Sequence, residues 1–389
     1  MKLTRRRFLR GAVAIGGAAA FPACIFAQTS TKPSEKPIRW GVIGTGHRGL
    51  IHISAIKSLS EQSELLGVCD VMENHLAAGA KRAGGSVQSY SDYQKLLANP
   101  DINAVLIATP NLLHRDVVLA ALEAGKHVMC EKPMAVSIEQ CREMKAAGEK
   151  HPDQVVLYTM QLRYSPRYVE LRKAIEAGKI GKPRYLLFAE CRGDWNRGDV
   201  WKYDDPRLGK VNWRFSHAAS GGTLNEKVCH YFDILHWMVG FEPQRVLCDG
   251  GISTYRDGRD TWDHATTTLV YPDGVKAVHS LCMFGPKRLD LQVIGEEGSL
   301  TVQEKTLLLS GHGKNETIEL PDEVLHGERG PAKGQETAVL RMYQDFIECV
   351  KEKKKPWMDA DKAMRSSKTA WLGELSSDNK REAKWDELG

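Results

Sequence analysis

The chain predicts two successive α/β layers: a doubly wound parallel sheet, then an α+β domain with a large, mainly antiparallel open sheet. Three observations predict this. From residue 38 to about residue 160, short runs rich in Val, Ile and Leu alternate with polar, Ala-rich segments at helical spacing. Beyond that point, period-two apolar runs follow one another with turn signals such as PDG and GEEG between them. A glycine-rich stretch, GVIGTGHRG, joins the first apolar run to the first helical one.

Taken in order, residues 1–27 read as an export signal and not as part of the fold. Arg5 and Arg6, followed by Phe8 and Leu9, open a Gly/Ala-rich apolar run that ends in small residues. That is the twin-arginine pattern, which directs already folded proteins to the periplasm. The run falls short of the roughly 20 apolar residues that a spanning helix needs. Cleavage is expected after Ala27; a lipid-anchored form through Cys24 is disfavoured by Phe21 and Pro22. Residues 28–37 form a polar linker.

Charge then excludes a class of partner. Of the 54 Lys and Arg, five lie within residues 1–27, so 49 basic side chains face 49 acidic ones in the remainder. A neutral mature chain, with no basic block beyond KEKKK at 351–355, is a poor match for nucleic acid. The nine cysteines include no CxxC, and a chain that folds before export does not depend on disulfides. Cys69, Cys130, Cys248 and Cys282 sit in apolar runs, as buried free thiols do. No cluster with metal-ligand spacing is present.

The first domain spans 38–160. IRWGVIG, ELLGVCD, INAVLIATP, KHVMCEKP and VVLYTM are its strands. The second spans 161–335, with a helix near 166–178, the strand YLLFAECR, a Trp-rich loop, a strong helix from Leu224, and the strands TTTLVYP, KAVHSLCMF, LDLQVIG and SLTVQ. Residues 336–389 are helical and are expected to pack back on the first domain. There are no internal repeats.

Gly44, Gly46 and Gly49 have GxGxxG spacing directly after the first strand, and Asp70 ends the second strand 21 residues beyond Gly49. This is the Rossmann dinucleotide pattern: a tight turn, a close approach to a pyrophosphate, helix packing on strand, and an acid for the ribose hydroxyls. An acid at Asp70 repels a 2′-phosphate, so NAD is favoured over NADP. His47 and Arg48 are assigned to the cofactor with the loop that holds them. Thr109, Pro110, Asn111 and His114 follow the third long strand, at the carboxyl edge where such sheets bind ligand, and are assigned to the same cofactor; His114 reads equally as a structural helix residue.

ATPNLLHRDV, CEKPMAV and GGTLNEKVCHYFDILHW, in that order behind the glycine loop, resemble the Gfo/Idh/MocA family of oxidoreductases. The resemblance covers essentially the whole chain after residue 27. It implies a substrate site on the open sheet face at the nicotinamide end, an active-site lysine at Lys132 with Glu131 beside the cofactor, and a catalytic histidine at His230. Glu226 stands where most members have Asp, and Val228 where a Gly is common. The residue chemistry is compatible: oxidising a secondary alcohol needs a base for the hydroxyl proton and a cation to hold the oxygen. Glu226 lies one helical turn before His230, from where its carboxylate is expected to orient the ring.

Arg163, Tyr164 and Asp233, near the domain junction and on the polar arc of the strong helix, are expected to line the substrate site. So are Trp195 and Trp213, since an apolar plane among hydrogen-bonding groups suits a sugar. The expected activity is NAD(P)-dependent oxidation of a secondary hydroxyl on a sugar, sugar derivative or cyclitol, and the chain is expected to form a homo-oligomer. Export without a periplasmic pool of NAD(H) implies a tightly held, recycled cofactor. Recycling admits two chemistries, a two-substrate oxidoreductase or a glycoside hydrolase working by transient oxidation, elimination, hydration and re-reduction. A non-catalytic sugar- or nucleotide-binding protein is the third reading.

Overall fold

The computed structural model describes residues 36–84, 87–193, 212–303, 305–311, 313–320 and 337–389; the signal, Cys24, Trp195 and Trp201 lie outside them. Residues 37–389 form one compact unit. Its first half alternates strand and helix: β1 Ile38–Ile43, α1 His47–Ser58, β2 Ser63–Cys69, α2 Glu73–Ala83, β3 Gln88–Tyr90, α3 Tyr93–Leu97, β4 Ala104–Ile107, α4 His114–Glu123, β5 His127–Cys130, α5 Ile138–Lys150 and β6 Val156–Tyr158. The strands pair in parallel in the order β3-β2-β1-β4-β5-β6, with the reversal between β1 and β4. β4 (AVLI) is buried throughout, as a strand covered by helices on both faces must be.

The second half runs α6 Pro166–Glu176, β7 Pro183–Cys191, α7 His217–Ser220, α8 Cys229–Val239, β8 Arg245–Gly251, β9 His264–Val270, β10 Lys276–Cys282, β11 Arg288–Gly295, β12 Ser299–Val302, β13 Thr306–Gly311 and β14 Lys314–Glu319. It closes with α9 Thr337–Glu352, α10 Ala360–Asn379 and β15 Ala383–Lys384. Its nine strands are ordered β14-β13-β12-β11-β7-β10-β9-β8-β15, antiparallel except where β10 runs parallel to β7. β15 was not expected from sequence; two residues beyond the last long helix are too few to show a period.

Helices cover one face of this sheet. Leu186, Phe188 and Glu190 on β7, with Ala277, His279 and Leu281 on β10, are buried on that side in a core shared with Phe232 and Leu235 of α8. The opposite face leaves Leu187 at 40% and Leu247 at 41% exposed. The terminal helix α9 packs on the first core, where Trp40 stands 5.3 Å from Tyr343 and 5.0 Å from Phe346 between ring centroids. α10 lies against β8 and α8 of the second domain and α5 of the first.

The strong helix differs from its expected form at its start. Leu224–Val228 is a π-helical turn that passes into α8 at Cys229. Such turns are rare and recur at functional sites.

Candidate functional site

At the β1–α1 turn, Gly44 has φ +90, and a Cβ there would meet the Ala108 carbonyl oxygen at 2.5 Å. A Cβ on Gly49 would come within 2.0 Å of the Gly44 oxygen. Only glycine fits either position, and the bare backbone they leave is a cradle open to a ligand. The loop is tied to the neighbouring strand: Gly44 N–H donates to the Cys69 oxygen at 2.8 Å, and Thr45 N–H donates to Asp70 Oδ2 at 2.8 Å. Asp70 Oδ1 accepts from Met72 N–H at 2.9 Å. Asp70 therefore braces the glycine loop as well as facing the cleft, a double duty that its position in the motif does not reveal.

The cleft above the carboxyl edge of the sheet encloses about 560 Å³, within the range of roughly 300–1,000 Å³ usual for ligand sites. Gly44, Gly46, His47 and Arg48 line it beside Asp70, Thr109, Pro110 and Asn111, and Glu131 and Lys132 lie at its floor. Trp213, Arg214 and Glu226 close it from the second domain. The glycine cradle, the carboxylate at the end of β2 and the size of the cleft fit a dinucleotide.

Beneath the loop lies a buried polar chain. Arg48 donates to Glu131 Oε1 at 2.7 Å and to Gln161 Oε1 at 2.8 Å. His52 Nε2 meets the same Glu131 oxygen at 2.8 Å, and its Nδ1 meets the Tyr343 hydroxyl at 3.0 Å. Burial alone would raise the Glu131 carboxyl, but Arg48, His52 and Lys132 outweigh it and hold the group well below the usual carboxylate range. A permanent anion thus anchors the cationic loop residue and the start of the Lys132 turn, where Lys132 N–H donates to Glu131 Oε2 at 3.1 Å.

Lys132 Nζ donates to the backbone oxygen of Glu226 at 2.6 Å and is ion-paired with its Oε2. Arg214 Nε lies 3.3 Å from the other carboxylate oxygen, and its guanidinium stacks 4.3 Å from the Trp213 ring centre. One carboxylate thus bridges two cations at the cleft wall. Glu226 was expected to orient His230; in the structure the π-helical turn directs it to Lys132 and Arg214, and among the described residues His230 Nδ1 is buried with no hydrogen-bond partner. Burial, then the charges of Lys132 and Lys227, hold the His230 imidazole well below its ordinary range. The ring is neutral at neutral pH and able to accept a proton. Lys227 is itself buried, paired with Glu190 at 2.8 Å, and brought down to about 8, by burial first.

Three residues expected at the substrate site lie elsewhere. Arg163 donates from Nε to Asp233 Oδ2 at 2.9 Å and from Nη2 to Oδ1 at 2.6 Å. With side chains only 3% and 1% exposed, these two form a closed bidentate pair. Arg163 also lies 5.0 Å from the Trp237 ring centre. Tyr164 is buried and donates to Asp345 Oδ2 at 2.6 Å. Each satisfies its polar groups inside the protein, so the polar arc of α8 is here an internal seam. His114 takes the structural option: it is fully buried, its ring nitrogens 2.9 Å from the Pro133 oxygen and 3.1 Å from the Thr109 oxygen. Asn111 lines the cleft while its side-chain amide donates to the Ser220 oxygen at 2.9 Å. The open sheet face was expected to carry the substrate site, but Glu226 and His230 belong to the helical layer on the opposite face. Trp195 falls outside the described residues, and among those residues no group of His, Cys, Asp or Glu has a metal-binding arrangement.

Residues 38–159 match the oxidoreductase family with an NAD-binding Rossmann fold, and residues 168–301 match the C-terminal domain of the same family. The chain belongs to the Gfo/Idh/MocA family. The inositol 2-dehydrogenase of Salmonella typhimurium strain LT2 is 29% identical over 209 residues, a match that covers 54% of this chain and 56% of that enzyme. The chain thus matches about half the length of this relative. The myo-inositol 2-dehydrogenase of Thermotoga maritima is 24% identical over 363 residues, covering 90% of this chain and 99% of that one. Levoglucosan dehydrogenase in complex with NADH and levoglucosan shares the fold with a TM-score of 0.76 at 22% identity, covering 90% of this chain and 100% of that one.

Within this Gfo/Idh/MocA fold, sequence reasoning missed Arg214, His52 and Lys227. Arg214 had one available signal, its place beside Trp213 in the Trp-rich loop. His52 and Lys227 had none, because each is defined by partners far along the chain.

Proposed function

We propose that this chain is an NAD-dependent dehydrogenase that acts on a secondary hydroxyl of a sugar, sugar derivative or cyclitol. The observation that carries the reading is the Lys132–Glu226–Arg214 cluster at the floor and wall of the dinucleotide cleft; His230, held neutral in part by the charge of Lys132, is its electrostatic neighbour. Bound NAD supplies the hydride acceptor. Gly44, Gly46 and Asp70 are the residues placed to hold it.

The remaining chemistry belongs to the chain. Lys132 has three donors, of which two go to the Glu226 backbone oxygen and carboxylate. The third is left for the substrate oxygen, where a cation stabilises developing negative charge. His230, held neutral, accepts the hydroxyl proton. Glu226 fixes both cations in place, and Arg214 offers planar donors to a second substrate oxygen. Trp213 gives an apolar wall beside them. The activities named for the inositol and levoglucosan relatives support cyclitols and anhydrosugars as the first compounds to test. Reduction of the nicotinamide, followed by absorbance across such a panel, is expected with at least one of them; a folded, NAD-loaded protein that reduces its cofactor with none would overturn the reading.

The Arg5-Arg6 signal supports a further step, in which the protein folds around NAD(H) and is exported with it. Protein purified without added nucleotide should then release NAD(H) on denaturation, read by mass spectrometry. Release of none, together with activity dependent on millimolar free NAD, would refute the sealed-cofactor reading.

A further inference from the structure

We propose that Cys191 and Cys282 form a redox-active pair that closes to an intrachain disulfide by exchange with a disulfide oxidant. The two are partners across the only parallel pairing in the second sheet's described ladder, β7 with β10, and each is the last residue of its strand. Neighbouring strands stand about 4.8 Å apart, inside the Cα separation of about 4.4–6.8 Å that a disulfide spans. The two side chains stand at directly paired positions on the same face of the sheet. The rung is held from both sides, Cys191 pairing also with Arg288 of β11 and Cys282 with His264 of β9, and Arg192 N–H donates to the Cys282 oxygen at 2.9 Å just beyond it.

Access separates this pair from the other thiols. Cys69, Cys130, Cys141, Cys229 and Cys349 are buried, whereas Cys191 and Cys282 are each partly exposed, on the sheet face away from the helices. Cys248 is also partly exposed, but its sulfur rests 3.2 Å from the Thr267 hydroxyl. Cys282 was expected to be a buried thiol; its position at the end of an outward-facing row places it at the surface instead, where Sγ donates to the Phe284 oxygen at 2.8 Å.

The reaction balances in two exchanges. The thiolate of one cysteine attacks a sulfur of the oxidant RSSR and expels RS⁻, leaving a mixed disulfide. The thiolate of the second attacks the protein sulfur of that mixed disulfide and expels the other RS⁻. Two protein thiols are oxidised, one RSSR is reduced to two RSH, and the two thiol protons end on the leaving groups. Burial first, then the contact with Cys282, raises the Cys191 thiol, with Arg288 and Asp290 of β11 as its charged neighbours. Closure therefore accelerates as pH rises. The bond would join β7 to β10 one residue beyond Glu190, whose partner Lys227 adjoins Glu226 in sequence. The inference does not depend on the substrate or on the proposed export.

The test uses the full chain treated with oxidised glutathione, with remaining thiols alkylated before tryptic digestion without reductant. The expected product is one linked species joining residues 185–192 to residues 277–287, with an intact-mass loss of about 2 Da for the two hydrogens removed. Cys191→Ser and Cys282→Ser should each abolish that species and leave the remaining cysteine alkylable. Recovery of both peptides as alkylated monomers, glutathione adducts that never resolve, or pairing of either cysteine with another would overturn the proposal. The wild-type digest decides the matter even if a variant fails to fold.

Discussion

Replacing Asp70 separates the two duties the structure gives it. Its carboxylate accepts Thr45 N–H at 2.8 Å, Thr45 Oγ1–H at 3.3 Å and Met72 N–H at 2.9 Å, and the residue is 8% exposed. Asp70→Ala would strand two backbone donors, at about 1–3 kcal/mol each when buried, so a loss of about 2–6 kcal/mol in loop and protein stability is expected. Asp70→Asn keeps one acceptor oxygen and should lose roughly half of that, while removing the charge. Two like charges ~5 Å apart at an effective dielectric constant of ~20 repel by about 3 kcal/mol. If half survives screening, the NAD-over-NADP preference rests on about 1.5 kcal/mol of repulsion, or about tenfold. The assay is paired titration of NAD and NADP into the apo protein by nicotinamide fluorescence or calorimetry, with thermal melts of the same samples. Asp70→Asn should fold, bind NAD more weakly and narrow the ratio by about tenfold. A folded Asp70→Asn protein with an unchanged ratio would refute the argument and move the discrimination to another residue.

His230→Ala and Lys132→Ala should each lower the rate of nicotinamide reduction by about 10²–10⁴-fold with cofactor binding retained; a wild-type rate in a folded, loaded His230→Ala protein removes the histidine from the mechanism. Because burial and two lysines hold His230 down, the acid limb of the kcat/KM profile should fall below pH 6.5, and a limb centred at or above that value contradicts a depressed base. His279 is brought to about 3 by burial, so the unfolded chain binds its proton first as pH falls. Stability from this group is intact above pH 6.5 and declines below it, by about 2 kcal/mol at pH 5; His230 and His236, also depressed by burial, act in the same direction. Denaturant melts that are flat between pH 7 and pH 5 would count against neutral buried histidines. Asp233→Ala leaves Arg163 charged and unpaired in the interior, and should cost about 3–5 kcal/mol of stability while kcat of the folded fraction stays near wild type; a selective rise in KM would return this pair to the substrate site.

Much was legible without coordinates because it depends on short-range physics. The parallel sheet follows from uninterrupted apolar strands such as AVLI, and the glycine turn follows from positions where a Cβ has no room. Asp70 was recognisable because its distance from that turn is set by one helix and one strand. Lys132, Glu226 and His230 were reached through the order of EKP and the GGTLNEKVCH segment, and the bare helical period could not have separated them from a solvated face.

The pairings themselves were decided only by the tertiary structure. Lys132 and Glu226 are 94 residues apart, and Arg163 and Asp233 are 70 apart, so no local period reports either contact. Sequence pattern marks a side chain as polar and inward, which describes both a substrate ligand and one half of a buried ion pair. Asp233 proved to be the second because Arg163 meets it with two parallel hydrogen bonds inside the fold. Glu226 turned from its expected partner for a related reason: a π-helical turn set its carboxylate between a lysine of the first domain and an arginine of the second. A partner for a buried charge is chosen by desolvation in the assembled protein, where an unpaired ion is costly. That cost does not exist until the chain has folded.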